Sequence, residues 1–511
     1  MSGFALVRSV RLRLSLALAL ATALASAAAA HVGSPDTWFE GTAGPYPVRV
    51  VVRAPGVVPG LAEIDVRVLA GHPRDVSVQL YGWNVGPRGA PPPDPAKPVP
   101  GDPQLWSVQL WFMEATSYGV HLAISGPEGS GVAVIPVQAV ATKRLQMSRG
   151  LGMVLIALGL FLFFGLVSVV GAGVREASLP PGVEPGPERV RAARIAMAVA
   201  AVLLAAALYG GRNWWDSVDR GYVAGLYRPF HAQVAVVDTA GSRRVRLGFD
   251  DPRFIGRRWT PLIPDHGKLV HLFLVSTPAM DVMAHLHPLL RDSTHFEATL
   301  PPLPAGEYDV YADIVHESGF ARTLTGHVTV PAGAPASYVP TDTDDSWSAA
   351  PAVRVHGADA TACTLADGAV MTWEGAAALS SGRADAGLRF RVMGPGGTPA
   401  KLEPFLGMAA HVVVRSEDGG VFAHLHPTGS VAMASEMALT MRTPADSVAG
   451  TLGRRLTQAG AMTMGAGTVL EDAFGIPWGF PRPGRYRVWV QVRRAGAIRT
   501  ATFDVEVTNG S

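Results

Sequence analysis

The sequence predicts an all-β protein: immunoglobulin-like β-sandwich domains tethered by two transmembrane α-helices. Three observations carry this. Short strand-like runs recur about every 8–12 residues between Gly- and Pro-rich turns. Two long apolar runs interrupt that pattern. A strand ending Ala-His-Leu-His-Pro is written twice, as Met283–Pro288 and Phe422–Pro427.

Composition sets the bounds. A chain of 511 residues is too long for one core and implies about three domains. Gly 57 and Pro 41 suit many short strands joined by turns. A formal charge of +2 argues against a nucleic-acid partner, which calls for a concentrated basic surface. Cys363 is the single cysteine, which excludes an intramolecular disulfide and any cysteine-built metal site.

Residues 1–30 read as a signal peptide: Arg8, Arg11 and Arg13, then an apolar stretch, then small residues before His31. Cleavage after Ala30 would leave His31 with a free amine beside its imidazole. That pair resembles the histidine brace of copper-binding export proteins, and earlier cleavage would remove it. Residues 31–145 alternate as strands and form a first extracytoplasmic sandwich. Within it, Gly86–Pro103 is too proline-rich for a strand and reads as a loop. Transmembrane helices are expected at 149–173 and 195–211, with a cytoplasmic loop at 174–194. Trp214 and Trp215 look like interface anchors, and Arg175, Arg189, Arg191 and Arg194 place positive charge inside. This puts the chain in the bacterial cytoplasmic membrane with its sandwiches outside.

Residues 225–332 and 352–508 are two copies of one sandwich unit, joined by a linker at 333–351. "HLFLVSTPAMDVMAHLHP" matches "HVVVRSEDGGVFAHLHP", "LPPLPAGEYDVYADIV" matches "FPRPGRYRVWVQV", and "RTLTGHVTV" matches "RTATFDVEV". If His271 opposes His287, then Phe273 opposes His285, and His271, His285 and His287 share one face. In the second copy His411 opposes His426, with His424 beside them. Opposed Cβ atoms lie ~4.5–5.5 Å apart, close enough for imidazoles to close around one ion. Imidazoles without thiolate suit copper, zinc or nickel. Met280, Met283, Met408, Met462 and Met464 tilt the expectation toward a copper ion, with zinc second. Each methionine alone is more readily explained by packing, and Met433, Met437 and Met441 read as a helix's core stripe. His266, His316 and Glu317 are lesser candidates. His295, His327 and His356 are background.

The hairpins "HLFLV…MAHLHP" and "HVVV…FAHLHP" resemble the exported YtkA-like and FixH-like β-sandwich domains, and "HVGSPD" is faintly similar to the CopC-like start. The resemblance implies membrane-tethered copper handling, with a copper-accepting envelope protein as partner. It supplies no second ligand for His31; Asp36, His72 and His121 are the nearest polar candidates. The expected function is therefore a membrane-anchored metal-binding protein, a copper chaperone or resistance factor. The competing reading is an envelope interaction module whose histidines are structural. The chain has no G-x-S-x-G, H-E-x-x-H or phosphate loop, so no enzyme is expected.

Overall fold

Strand pairing in the computed structural model assembles six sheets. Described are residues 36–239, 241–249, 261–292, 295–333, 337–356, 359–375, 379–381, 387–458 and 470–509, with the backbone of His31 and Val32. The expected signal peptide, Met462 and Met464 lie outside them. The chain divides into two compact units, Val140–Tyr227 and the remainder.

The β-rich unit contains three pairs of sheets. Residues 36–138 form a five-stranded and a four-stranded sheet. Their alternating burial follows from the period of two: along Gly60–Val68, Ala62, Ile64, Val66 and Val68 point inward while Glu63 points out. The proline-rich segment departs from the loop expected there. Asp94–Pro95 pairs with Ser77 and Val78, and Lys97–Val99 pairs with the strand Asp102–Phe112. Both are edge strands, where a proline's missing N–H disrupts no ladder.

The second and third pairs repeat one topology. In the second, Ala321–Val330, Gly306–His316, His271–Ser276 and Met283–Leu286 lie side by side. In the third, the same places are taken by Ala497–Val507, Gly484–Arg494, His411–Ser416 and Val421–Leu425. One apolar core joins the two sheets of the second pair, running from Val245 and Phe296 to Leu272 and Val310. Another does so in the third, from Trp373 and Phe390 to Val412 and Phe503. Cys363 is buried in that last core.

The two hairpins turn alike. Ser276 Oγ accepts from Val282 N at 2.9 Å, and Ser416 Oγ accepts from Val421 N at 2.8 Å. The expected register is present: Phe273 opposes His285 and Val413 opposes His424.

The two repeats pack face to face along three seams. Phe273, Val275, Met280, Met283 and Tyr311 of the first bury against Val413, Phe422 and Trp489 of the second. Tyr311 stacks on Phe422 with centroids 3.9 Å apart. The second seam is an insertion in the later repeat, containing helices α1 (Met433–Thr440) and α2 (Thr451–Gln458). Their Ala434, Ala438, Leu452 and Leu456 cover Ile263 and Val315. Met437 and Met441 pack against this cluster, as a core stripe should. Glu317 accepts from Gly450 N and Gly453 N, both at 2.7 Å, and so holds the amino end of α2, where a carboxylate is favoured. The third seam is the connection between the repeats. Its Ser346–Ser348 is a strand paired to Met283–His285, not a free linker.

The other unit contains two helices long and apolar enough to cross a membrane, Arg149–Glu176 and Pro187–Ala224. The second runs well beyond the apolar run of its sequence. Pro187 suits a first turn, and the residues flanking the run include good helix formers. Trp214 and Trp215 therefore lie within the helix. Gly171 is buried where Met197 of the other helix packs on it; a Cβ there would meet the thioether at 2.6 Å.

Candidate metal centre

The histidine faces of the two hairpins meet. His271, His285 and His287 of one and His411, His424 and His426 of the other form a single buried cluster, joined by His266. Spacings within the two hairpins match closely, as copies of one unit should. Ring centroids of His271 and His285 are 5.5 Å apart, against 5.4 Å for His411 and His424. His285 and His287 are 4.6 Å apart, and so are His424 and His426.

Ligand-forming groups do not follow the hairpins. The atoms that converge are those of His271, His285 and His424 in one group, and those of His266, His411 and His426 in the other. Each group takes histidines from both repeats. The sequence expectation gave each hairpin its own ion. Docking of the two faces redistributes the ligands, and local strand pairing cannot reveal that.

The first group is supported from outside. His271 Nε2 donates to the Asp265 carbonyl at 3.1 Å, and His285 Nδ1 to Gln491 Oε1 at 2.9 Å. His424 Nδ1 stands 3.3 Å from Asp313 Oδ2. His287 Nδ1 is 3.1 Å from Asp345 Oδ1, whose carboxylate is fully buried. Asp313 and Gln491 occupy equivalent places, opposite His271 and His411 in their sheets, and each receives a histidine from the other repeat. Carbonyl and carboxylate oxygens only accept, so each ring presents its other nitrogen as a lone pair. His271 Nδ1 and His285 Nε2 then face each other at 3.2 Å. Two lone pairs at that distance repel unless something positive lies between them. The edge of a tetrahedron around an ion with bonds of ~2.0–2.1 Å is about 3.3–3.4 Å. Ligating histidines characteristically donate their other N–H to such acceptors.

The second group has no such support. Both ring nitrogens of His266, His411 and His426 are buried without hydrogen bonds among the described residues, as are His287 Nε2 and His424 Nε2. Backbone at Leu406 and Val431 lies near His266 and His426 but outside hydrogen-bond geometry. Each unpaired buried polar atom costs about 1–3 kcal/mol. These eight atoms together would cost on the order of 10 kcal/mol or more, as much as a domain's whole stability of about 5–15 kcal/mol. Burial holds His271, His285, His411 and His426 well below the ordinary imidazole range, with neighbouring imidazoles adding to the effect. It lowers His266 likewise. Neutral imidazoles are the form that binds metal.

His266 ranked low in the sequence because no histidine stands opposite it in the other repeat. Extending the internal alignment nine residues upstream of His271 and His411 pairs "LIPDHGKLVH" with "LEPFLGMAAH". His266 then matches Leu406, and both adopt a left-handed backbone, with φ 49 and 51, before a glycine. Met280 and Met283 fall in the apolar seam, not in a ligand group. The backbone of His31 pairs with Val421, next to the second hairpin. His72 bonds Glu128 at 2.7 Å, and His121 lies opposite Gln79 and Val134.

Residues 364–509, the third pair of sheets with the second hairpin, match the model of a domain of unknown function, DUF8832. No curated protein matches the chain. Among solved structures, latent PorU from Porphyromonas gingivalis is 9% identical with a TM-score of 0.15, covering 93% of this chain, which spans 34% of PorU. The titin domains Z1Z2 crystallised with telethonin are 12% identical with a TM-score of 0.11, covering 55% of this chain and 99% of theirs. A Salmonella alpha-2-macroglobulin mutant is 7% identical with a TM-score of 0.18, covering 93% of this chain and 23% of its own. Likenesses this slight bear on neither fold nor function.

Proposed function

We propose that this chain is a membrane-anchored extracytoplasmic metal-binding protein whose ions sit between two duplicated, immunoglobulin-like sandwiches. One observation carries the reading: imidazoles of the two repeats converge in two groups of three, one with lone pairs face to face at 3.2 Å and the other with buried ring nitrogens that no described residue bonds. Copper is the first candidate and zinc the second, since an all-imidazole set suits both. The methionines add nothing to the preference, because Met280 and Met283 serve packing. The two apolar helices and the likeness of the hairpins to YtkA-like and FixH-like exported domains support the placement outside a cytoplasmic membrane. A copper chaperone passes its ion on through accessible ligands. Here His271, His285, His287, His411 and His426 are at most 2% exposed, which favours an ion that is retained over one handed to a partner.

The second reading is an envelope assembly module with structural histidines. Rotating the Gln491 amide favours it locally. His285 Nε2 could then donate to His271 Nδ1, completing a metal-free chain from Asp265 to Gln491. That rotation leaves His266, His411 and His426 unpaired, and with them His287 Nε2 and His424 Nε2, so it accounts for two of the seven rings.

Full-length protein in detergent, freed of metal and titrated with Cu(II) and Zn(II), distinguishes the two. We expect two equivalents bound in the wild type and one in the His285→Gln/His424→Gln variant, which leaves His266, His411 and His426 intact. Absence of stoichiometric binding by folded wild-type protein would leave the assembly module standing.

A further inference from the structure

The ring of His426 has no acceptor behind it, since both its nitrogens are buried without hydrogen bonds among the described residues. Its place is therefore set by its backbone and its packing. That backbone leaves the hairpin strand Val421–Leu425 and enters a tight turn. His426 N donates to the Gly429 carbonyl at 2.9 Å, and Gly429 N to the His426 carbonyl at 2.8 Å. The first sandwich grips this turn. Trp38 N donates to Ser430 Oγ and Ser430 N to the Trp38 carbonyl, both at 3.0 Å. Glu40 N donates to the Thr428 carbonyl at 2.9 Å. The strand Asp36–Ala43 passes so close that a Cβ on Gly429 would stand 2.1 Å from the Trp38 carbonyl oxygen. Gly429 also has φ 113, a conformation that a side chain would strain. Trp38 itself, with Val51, is buried in the core of the third pair of sheets.

Given the metal-binding reading above, we propose that the first sandwich positions a ligand of the His266/His411/His426 group: its strand Asp36–Ala43 clamps the turn at 426–430 and so holds the His426 imidazole in place for the ion. The other repeat shows the same need met differently. There His287 stands at the matching place, and its backbone N donates to Asp345 Oδ1 at 2.7 Å. Each hairpin exit is thus fixed from outside its own repeat, the first by the connection between repeats and the second by the first sandwich. The hairpin edges follow the same division. Ser346–Ser348 pairs along Met283–His285, and the backbone of His31 and Val32 pairs along Val421 and Phe422. Residues 36–43 precede the two apolar helices in the chain and His426 follows them. This group is therefore complete only when the β-rich segments from before and after the helices have met.

The test is Cu(II) binding by the full-length protein and its Gly429→Ala variant, read by chelator competition and EPR. The ion of this group is the one retained in His285→Gln/His424→Gln. In Gly429→Ala that ion should bind about 10–100-fold more weakly, the range for lost support behind a ligating histidine, and its EPR spectrum should change. The other ion should keep its affinity and its spectrum. Ser430→Ala removes only the hydroxyl that accepts from Trp38 N. It should shift the same ion in the same direction by less, and it takes the place of Gly429→Ala if that variant does not fold. Wild-type affinity and spectrum for both ions in the folded variant would overturn the clamp and leave metal binding intact. Equal weakening of both ions would reduce the contact to general stability and overturn the clamp too. No bound ion in the wild type would overturn both readings.

Discussion

The two histidine groups are built from the same duplicated hairpin, yet they differ in what stands behind the ligands. Around His271, His285, His287 and His424 each ring leans on an oxygen: a backbone carbonyl, an amide or a carboxylate. Around His266, His411 and His426 the neighbours are other imidazoles and the Phe405 ring. Outer acceptors fix ring orientation and raise ligand basicity. The first group is thus oriented by the protein itself, whereas the rings of the second have no such acceptor among the described residues. Duplication supplies two equal faces, and the residues that arrive from loops make them unequal.

The strongest way to break the comparison is to part the repeats. Phe422 is fully buried between Tyr311 and Phe273. Phe422→Ala should destabilise the seam by about 3–5 kcal/mol, the usual cost of emptying such a site. Both groups draw ligands from both repeats, so bound metal should fall at the two centres together. Urea unfolding with metal analysis at each step checks this. Loss of one ion with full retention of the other would mean that the centres do not share the seam.

A narrower change separates the groups. Asp345→Asn keeps the shape around His287 and removes the negative charge. Outer partners of ligating histidines are worth about 10–100-fold in affinity. The first centre should weaken by that order and the second should hold its ion unchanged, as read by competition with a chelator. Equal weakening of both would place Asp345 in the general stability of the interface instead.

Much of this was legible in the sequence, for reasons tied to strand geometry. Residues two apart on a strand share a face, so the common face of each His-Leu-His pair followed from the residues alone, whereas the hairpin register had to be assumed and is the one the strands adopt. Six of the seven clustered histidines were found in this way. Face-to-face docking of the repeats was not legible, because the hydrophobic pattern says which residues are buried and not against what. Phe422 and Trp489 read equally well as core of one sandwich or as seam between two. The acceptors were hidden for the same reason: Asp313 and Gln491 serve histidines of the opposite repeat, 111 and 206 positions away along the chain. The connection between repeats was misjudged because its composition is that of a loop. Its Asp345 and Ser346 act through a buried carboxylate and a short edge strand that no periodicity announces.

The smallest expected effect comes from undoing the asymmetry at its origin. Leu406 occupies the position of His266 in the later repeat, with the same left-handed backbone and a following glycine. Histidine tolerates that conformation better than most side chains. Leu406 is only half-buried, so Leu406→His should change stability by no more than about 0.5 kcal/mol. By the equivalence of the duplicated hairpins, the new ring should point toward His271 and His287, as His266 points toward His411 and His426. That end already has Asp345 holding His287, and one ion per group is expected whether three or four rings surround it. The added imidazole should therefore leave the number of bound ions at two. A third ion in Leu406→His would mean that the new ring and His287 form a group of their own, and that each end of the cluster is not limited to one ion.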